Sequence, residues 1–148
     1  MAIMRIPEQI WETTHHHLFG TPGEHFAFLT ARWTYSRGNP VFMVRDVLLI
    51  PDAQVTASWN GMELSLEGIL NVINTAVESG DCLIEAHNHG GVLPRFSPTD
   101  RKGFEEFPRY LHESLPGRPY GATVWGDSTV YGEYFLPDEH TGRIEYIT

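Results

Sequence analysis

Cys82-Leu83-Ile84-Glu85-Ala86-His87 is the stretch on which the reading of the fold turns. It is a short run able to carry apolar residues on one face, the pattern of a partly buried strand. A helical pattern lies on either side of it. Upstream, Leu66, Ile69, Leu70, Ile73 and Val77 recur at steps of three and four, while Glu67, Asn71 and Glu78 take other positions. That spacing predicts an amphipathic helix with those apolar residues as its buried stripe. Gly80 is placed to end it, since glycine accepts the left-handed backbone that follows a last helical turn. Downstream, Ser97-Pro98-Thr99-Asp100 offers a hydroxyl cap, a proline at the first helical position and a first-turn carboxylate. A second helix is expected from Ser97, with Phe104, Phe107 and Leu111 as its stripe and a break or kink at Pro108.

Further out, Pro7 to Leu18 places Ile10, Trp11, Thr14 and Leu18 at near-helical spacing and closes at Gly20-Thr21-Pro22-Gly23. The runs EHFAFLTARWTYS and VFMVRDVLLI are rich in aromatic and β-branched residues and flank a turn at Ser36 to Pro40, so they read as two antiparallel strands. Ala53 to Trp59 could add a third. Ala122 to Trp125 and Ser128 to Phe135 read as closing strands around the turn pair Gly126-Asp127. Strands alternating with helices predict an α/β fold, an α+β sandwich with helices packed on a sheet, in a single domain spanning 1–148.

Composition narrows the function. With 148 residues, 41% hydrophobic and 20% charged, the chain can bury a core without disulfides, and its single cysteine, Cys82, forms none internally. No run reaches the roughly 18 apolar residues of a membrane helix. The start, MAIMRIPEQIWE, lacks a basic flank followed by an apolar stretch, so the expected location is cytoplasmic, with no membrane partner. Nineteen acidic against ten basic residues give a net charge of −9 without a basic stripe, which argues against nucleic acid as a partner.

The chemistry gathers at the end of the same strand. His87 and His89, two positions apart, project to one side, so both imidazoles can reach one ion. Asp100 can supply a third ligand if the Gly90–Phe96 loop folds the next helix back over the strand end, where the helix N-terminus favours an ionised carboxylate. Three protein ligands leave the fourth position of a tetrahedral zinc for water, the arrangement of a hydrolytic site. Taken singly, a His-x-His is an ordinary polar pair and Ser97 to Asp100 an ordinary helix cap. Together they form a specific pattern.

That pattern resembles the signature of the JAMM metalloproteases, the JAB/MPN family: a distant glutamate, then His-x-His, seven residues and Ser-x-x-Asp. His87, His89, Ser97 and Asp100 match the spacing without a gap. The resemblance implies an MPN/JAB-like metalloprotease domain with a central mixed sheet flanked by helices. It makes His87, His89 and Asp100 the metal ligands for Zn2+. It also implies an upstream catalytic glutamate, here Glu24, which follows the first helix and the loop Thr21-Pro22-Gly23 and opens the first long strand. Glu85, Glu63 and Glu67 are its competitors. Glu85 shares the strand face of His87 but lies deeper in the strand, and the other two fall in or beside a helix. One departure is Gly90-Gly91 where many members carry proline after the second histidine, which touches the loop and its substrate contacts but removes no ligand.

The implied activity is a zinc-dependent isopeptidase or peptidase, cleaving after the C-terminal glycine of a ubiquitin-like or sulfur-carrier protein. Glu24 would act as base and Ser97 would donate to the developing oxyanion. A substrate tail would thread as an extended strand beside an edge strand. A chain this small suggests a prokaryotic-type member, which works alongside E1-like or E2-like enzymes. The alternative is a non-catalytic MPN scaffold, which typically lacks the metal-site residues retained here. A zinc nucleoside deaminase would need a paired-cysteine motif that one cysteine cannot supply. Elsewhere, His15-His16-His17 reads as a solvated face of a surface helix, Cys82 as a small core residue, and Trp33, Tyr35, Trp59 and Trp125 as packing by default.

Overall fold

The computed structural model describes residues 1–58, 61–88 and 111–147. In chain order the elements are β1 (Ala2–Arg5), α1 (Glu8–Phe19), β2 (Phe26–Ser36), β3 (Asn39–Leu49), β4 (Val55–Ser58), β5 (Gly61–Leu64), α2 (Leu66–Ser79), β6 (Cys82–Asn88), β7 (Tyr120–Trp125), β8 (Val130–Phe135) and β9 (Thr141–Ile147). A single 3-10 turn, Asp52–Gln54, precedes β4. Residues 111–114 are helical and hand the chain to β7. The expected start of that helix at Ser97, with Phe104, Phe107 and Pro108, lies outside the described residues.

Seven strands close into a barrel in the order β1-β3-β2-β6-β7-β8-β9. This corrects the expectation of an α/β sandwich with a central sheet flanked by helices. The expectation missed the two outermost strands. Ala2–Arg5 is only four residues long, and Thr141–Ile147 alternates polar and apolar positions without a strong run. They pair in parallel, from Ala2 opposite Ile144 to Arg5 opposite Ile147, while β1 also pairs with β3 and β9 with β8. Each thereby covers what would be an open edge, and closing a sheet on itself removes the unpaired N–H and C=O groups that an edge presents.

The centre of the sheet was better anticipated. β2 and β3 form the antiparallel pair, with a register shift between Thr30 and Ala31, and β2 continues onto β6 with Phe26 opposite His87 and Ala27 opposite Ala86. β6 pairs with β7 in parallel, so the chain between them has to cross over. The expected third strand does form at Val55–Ser58, yet it pairs with β5 in a separate two-stranded sheet.

The two faces of the sheet carry two apolar clusters. One gathers Ala27, Leu29, Ala31, Phe42, Val44, Cys82, Ile84, Ala86, Trp125 and Ile144 with Leu18 of α1. The other gathers Phe28, Leu83, Tyr120, Ala122 and Val124 with Val72, Ile73 and Ala76 of α2 and with Leu111 and Leu115. Trp11 of α1 lies 4.5 Å from Trp125 and 5.0 Å from Tyr146, ring centre to ring centre, which docks that helix onto β7 and β9.

α2 ends at Gly80 as expected, and the structure adds a cap at its start. Ser65 accepts a hydrogen bond from Gly68 N at 3.1 Å, and Gly80 takes the left-handed conformation with φ of 74°. Its buried face is rotated from the expected one. Gly68, Val72, Ile73 and Ala76 are buried, whereas Leu66, Leu70 and Val77 are exposed. Gly68 sits so close to Gln54 that an added Cβ would lie 3.3 Å from the glutamine Cβ. Of the expected stripe, Ile73 is buried and Ile69 packs against the second cluster, while Gly68, Val72 and Ala76 complete the buried face in place of Leu66, Leu70 and Val77.

Candidate functional site

β6 positions the site because side chains along a strand alternate between faces. Cys82, Ile84 and Ala86 enter the first apolar cluster, and Leu83 enters the second. Glu85 and His87 share the face of Leu83. Glu85 stands between Phe28 of β2 and Ala122 of β7, and His87 between Phe26 and Val124. The ring of Phe26 stacks on that of His87 at 5.7 Å. His87 is buried, with only 2% of its surface exposed.

Burying an imidazole in this apolar setting calls for polar company. Glu85 provides it, with Oε1 2.8 Å from His87 Nδ1. The contact has ion-pair length but falls short of hydrogen-bond alignment. The second carboxylate oxygen, Oε2, accepts from the hydroxyl of Tyr120 at 3.2 Å. Burial above all, and then the charge and hydrogen bond of Glu85, push the Tyr120 phenol well above its ordinary pKa. Tyr120 therefore stays protonated and serves as donor. The strand itself is held where Thr123 Oγ1 donates to the Glu85 carbonyl at 2.6 Å and receives Trp125 Nε1 at 3.0 Å.

Asn88, the residue after His87, turns to the other face and is buried. Its amide oxygen accepts from His25 N at 2.8 Å, and its amide nitrogen donates to the Gly23 carbonyl at 3.1 Å. Glu24 lies between those two residues, exposed and just ahead of β2. One buried amide thus clamps the backbone on both sides of Glu24 to the end of the strand that carries His87. Gly23 has φ of 101°, a conformation that side chains resist, so glycine suits this turn. His25 is fixed in turn, its Nδ1 3.2 Å from Asp52 Oδ1 and its Nε2 2.9 Å from Thr21 Oγ1.

Of the sequence-predicted site residues, the structure brings His87 and the Glu24 segment to the same strand end. Glu24 itself precedes β2, where it had been expected to open that strand. His89, Ser97 and Asp100 lie outside the described residues, as does the Gly90–Phe96 loop. Among the described residues, no group of three or more His, Cys, Asp or Glu side chains stands close enough to hold one metal ion. His87, buried and backed by a carboxylate, has the chemistry of a zinc ligand, since ligating histidines commonly present their second nitrogen to such a group. An open groove of about 590 Å³ runs along α2, lined by Gln54, Leu66, Glu67, Leu70, Asn71 and Asn74, with none of these strand-end residues.

Sequence reasoning passed over Asn88 and His25. The signal for Asn88 was its place between the two histidines, where an amide can reach backbone on a neighbouring strand. Glu85 was weighed only as a catalytic base. The histidine run of α1 also differs from expectation. His16 is exposed, but His15 Nε2 lies 2.9 Å from the Asp127 carbonyl and His17 Nε2 2.9 Å from that of Phe26, so two of the three tie the helix to the barrel. Burial pushes the Cys82 thiol far up, which suits the expected core role and leaves a poor nucleophile. Trp125 is buried, Trp33 packs at the margin of the first cluster, Tyr35 is exposed, and Trp59 lies outside the described residues.

No protein-family model matches this chain, and no curated protein matches it in sequence. No helix among the described residues is long and apolar enough to cross a membrane.

Proposed function

We propose that this chain is a zinc-dependent peptidase of the JAMM type, acting on an amide or isopeptide bond after the C-terminal glycine of a ubiquitin-like or sulfur-carrier protein. The observation that carries the reading is the Asn88 clamp. It draws the segment bearing Glu24 to the strand end bearing His87, although the two are far apart in sequence. A peptidase of this kind needs that meeting of an acid with a metal-binding histidine. The spacing of His87, His89, Ser97 and Asp100 supports the same reading.

His87, His89 and Asp100 would hold the zinc. Zinc, when bound, supplies Lewis acidity and brings the pKa of a coordinated water towards about 7. Glu24 takes the proton of the attacking water and returns it to the leaving amine. Ser97 donates to the carbonyl oxygen as negative charge grows there. Barrel closure bears on how a tail would dock. The hairpin of β4 and β5 forms a sheet apart from the barrel, and among the described residues no further strand pairs with its outer edges, which an extended tail could join by main-chain hydrogen bonds. E1-like or E2-like enzymes would be its working companions.

The test is to load purified full-length chain with zinc and incubate it with a panel of ubiquitin-like fusions, reading products by mass spectrometry. About one zinc per chain and cleavage after the terminal glycine are expected. Failure to take up zinc specifically at near-equal stoichiometry ends the catalytic reading.

A further inference from the structure

Between β6 and β7, two polar groups that the proposed reaction leaves without a task, Tyr120 and Glu85, stand in line with His87. Tyr120 Oη donates to Glu85 Oε2 at 3.2 Å, and Glu85 Oε1 stands 2.8 Å from His87 Nδ1. This carboxylate is mostly covered, with 15% of its side chain exposed, among Phe28, Leu83, Ala122 and Val124. A strand position set among apolar residues is a costly place for a charge unless the charge is paired and hydrogen-bonded, as Glu85 is by His87 and Tyr120. Neutral imidazole carries its proton on one nitrogen only, and a neighbouring carboxylate favours the tautomer whose N–H faces it.

We infer that Glu85 is a positioning residue, held by Tyr120, which keeps the His87 proton on Nδ1 and so gives Nε2 the lone pair for a cation. The assignment rests on the zinc-peptidase reading in its second half only. Glu85 is thereby separated from Glu24, with which it competed for the role of base. Its two oxygens face Tyr120 and His87, whereas Glu24 is exposed on the loop before β2. Tyr120 does for Glu85 what Glu85 does for His87. It occupies the second oxygen and restrains the carboxylate, so the His87 ring has one preferred orientation. Losing such a partner behind a ligating histidine typically costs 10–100-fold in metal affinity.

The experiment records long-range 15N–1H correlations of the His87 ring in the zinc-free, full-length protein, at a pH where the ring is neutral. The Nδ1–H tautomer is expected in the wild type, with a mixed or reversed population in Glu85→Ala. Zinc affinity is then measured by chelator competition. Glu85→Ala is expected to bind about 10–100-fold more weakly, Glu85→Gln to recover part of the loss through its amide oxygen, and Tyr120→Phe to lose less than Glu85→Ala. Circular dichroism and denaturation midpoints confirm that each variant is folded. Should Glu85→Ala fail to fold, the Gln variant and the wild-type tautomer carry the test.

An Nε2–H tautomer in the wild type overturns the inference, as does an unchanged zinc affinity in a folded Glu85→Ala protein. If the wild-type chain takes up no zinc, the peptidase reading falls instead, and the tautomer alone decides the role of Glu85.

Discussion

The two faces of β6 follow different rules within one strand. Cys82, Ile84 and Ala86 point into an apolar cluster where the smallness of their neighbours matters. Gly121 lies opposite Ile84 in register, and a Cβ added there would meet the isoleucine side chain at 3.1 Å. Glu85 and His87 point the other way, where Glu85 faces both His87 Nδ1 and the Tyr120 hydroxyl. Asn88 then returns to the first face and converts a packing position into a clamp on Gly23 and His25. One strand can thus serve two different surroundings because adjacent side chains never share a face.

The most drastic way to break this comparison is His87→Ala. Zinc uptake and cleavage are both expected to vanish, as they should in His89→Ala, while the barrel keeps its circular dichroism spectrum. Undiminished zinc binding by chelator competition would remove His87 from the ligand set. On the opposite face, Ile84→Ala deletes buried apolar volume and is expected to cost about 2–5 kcal/mol in denaturant unfolding. Its zinc affinity should stay within a few-fold of wild type, and a loss as large as that of His87→Ala would mean that the faces are not separable.

A smaller effect tests the clamp. Asn88→Ala leaves a buried backbone N–H without its acceptor and is expected to cost about 1–3 kcal/mol. Zinc binding should persist while cleavage falls, the same direction as Glu24→Ala, for which a loss of about 10²–10⁴ in turnover with retained metal is expected. Asn88→Ala with full activity would show that Glu24 needs no such anchor.

The smallest effect is in pH. The folded chain holds the Cys82 proton at a pH where the unfolded chain has released it, so the unfolded state binds fewer protons and stability falls as pH rises above about 8.5. Tyr120, raised on the other face, adds the same sign of slope from about pH 10. Unfolding free energies measured across this range should lose the first slope in Cys82→Ala and the second in Tyr120→Phe. A slope unchanged by either substitution would place its origin elsewhere.

These particulars show how far residues alone could be read. The β2, β3 and β6 strands, the first helix and the C-terminal end of α2 were legible, because β-branched runs, helical spacing and a Gly80 stop are local signals. The buried face of α2 was legible only in part. Ile69 and Ile73 face the core as expected, but packing chose Gly68, Val72 and Ala76 over Leu66 and Leu70, and close approach to Gln54 is not written in periodicity. Motif and order singled out His87 and Glu24 as candidates, and the structure brings their segments to one strand end. The part played by Asn88 could not be read in that way, because its partners lie more than sixty positions upstream.

Local chemistry therefore determined the strand that carries His87, the first helix and the Gly80 end of α2. Tertiary structure decided that the sheet closes, that β4 leaves it for a hairpin, and that Tyr120 of β7 reaches Glu85. The reason is common to all three: each depends on which backbone lies alongside. The β1 and β9 strands are individually too short or too polar to announce themselves, and they become strands because each covers the other's hydrogen-bonding edge.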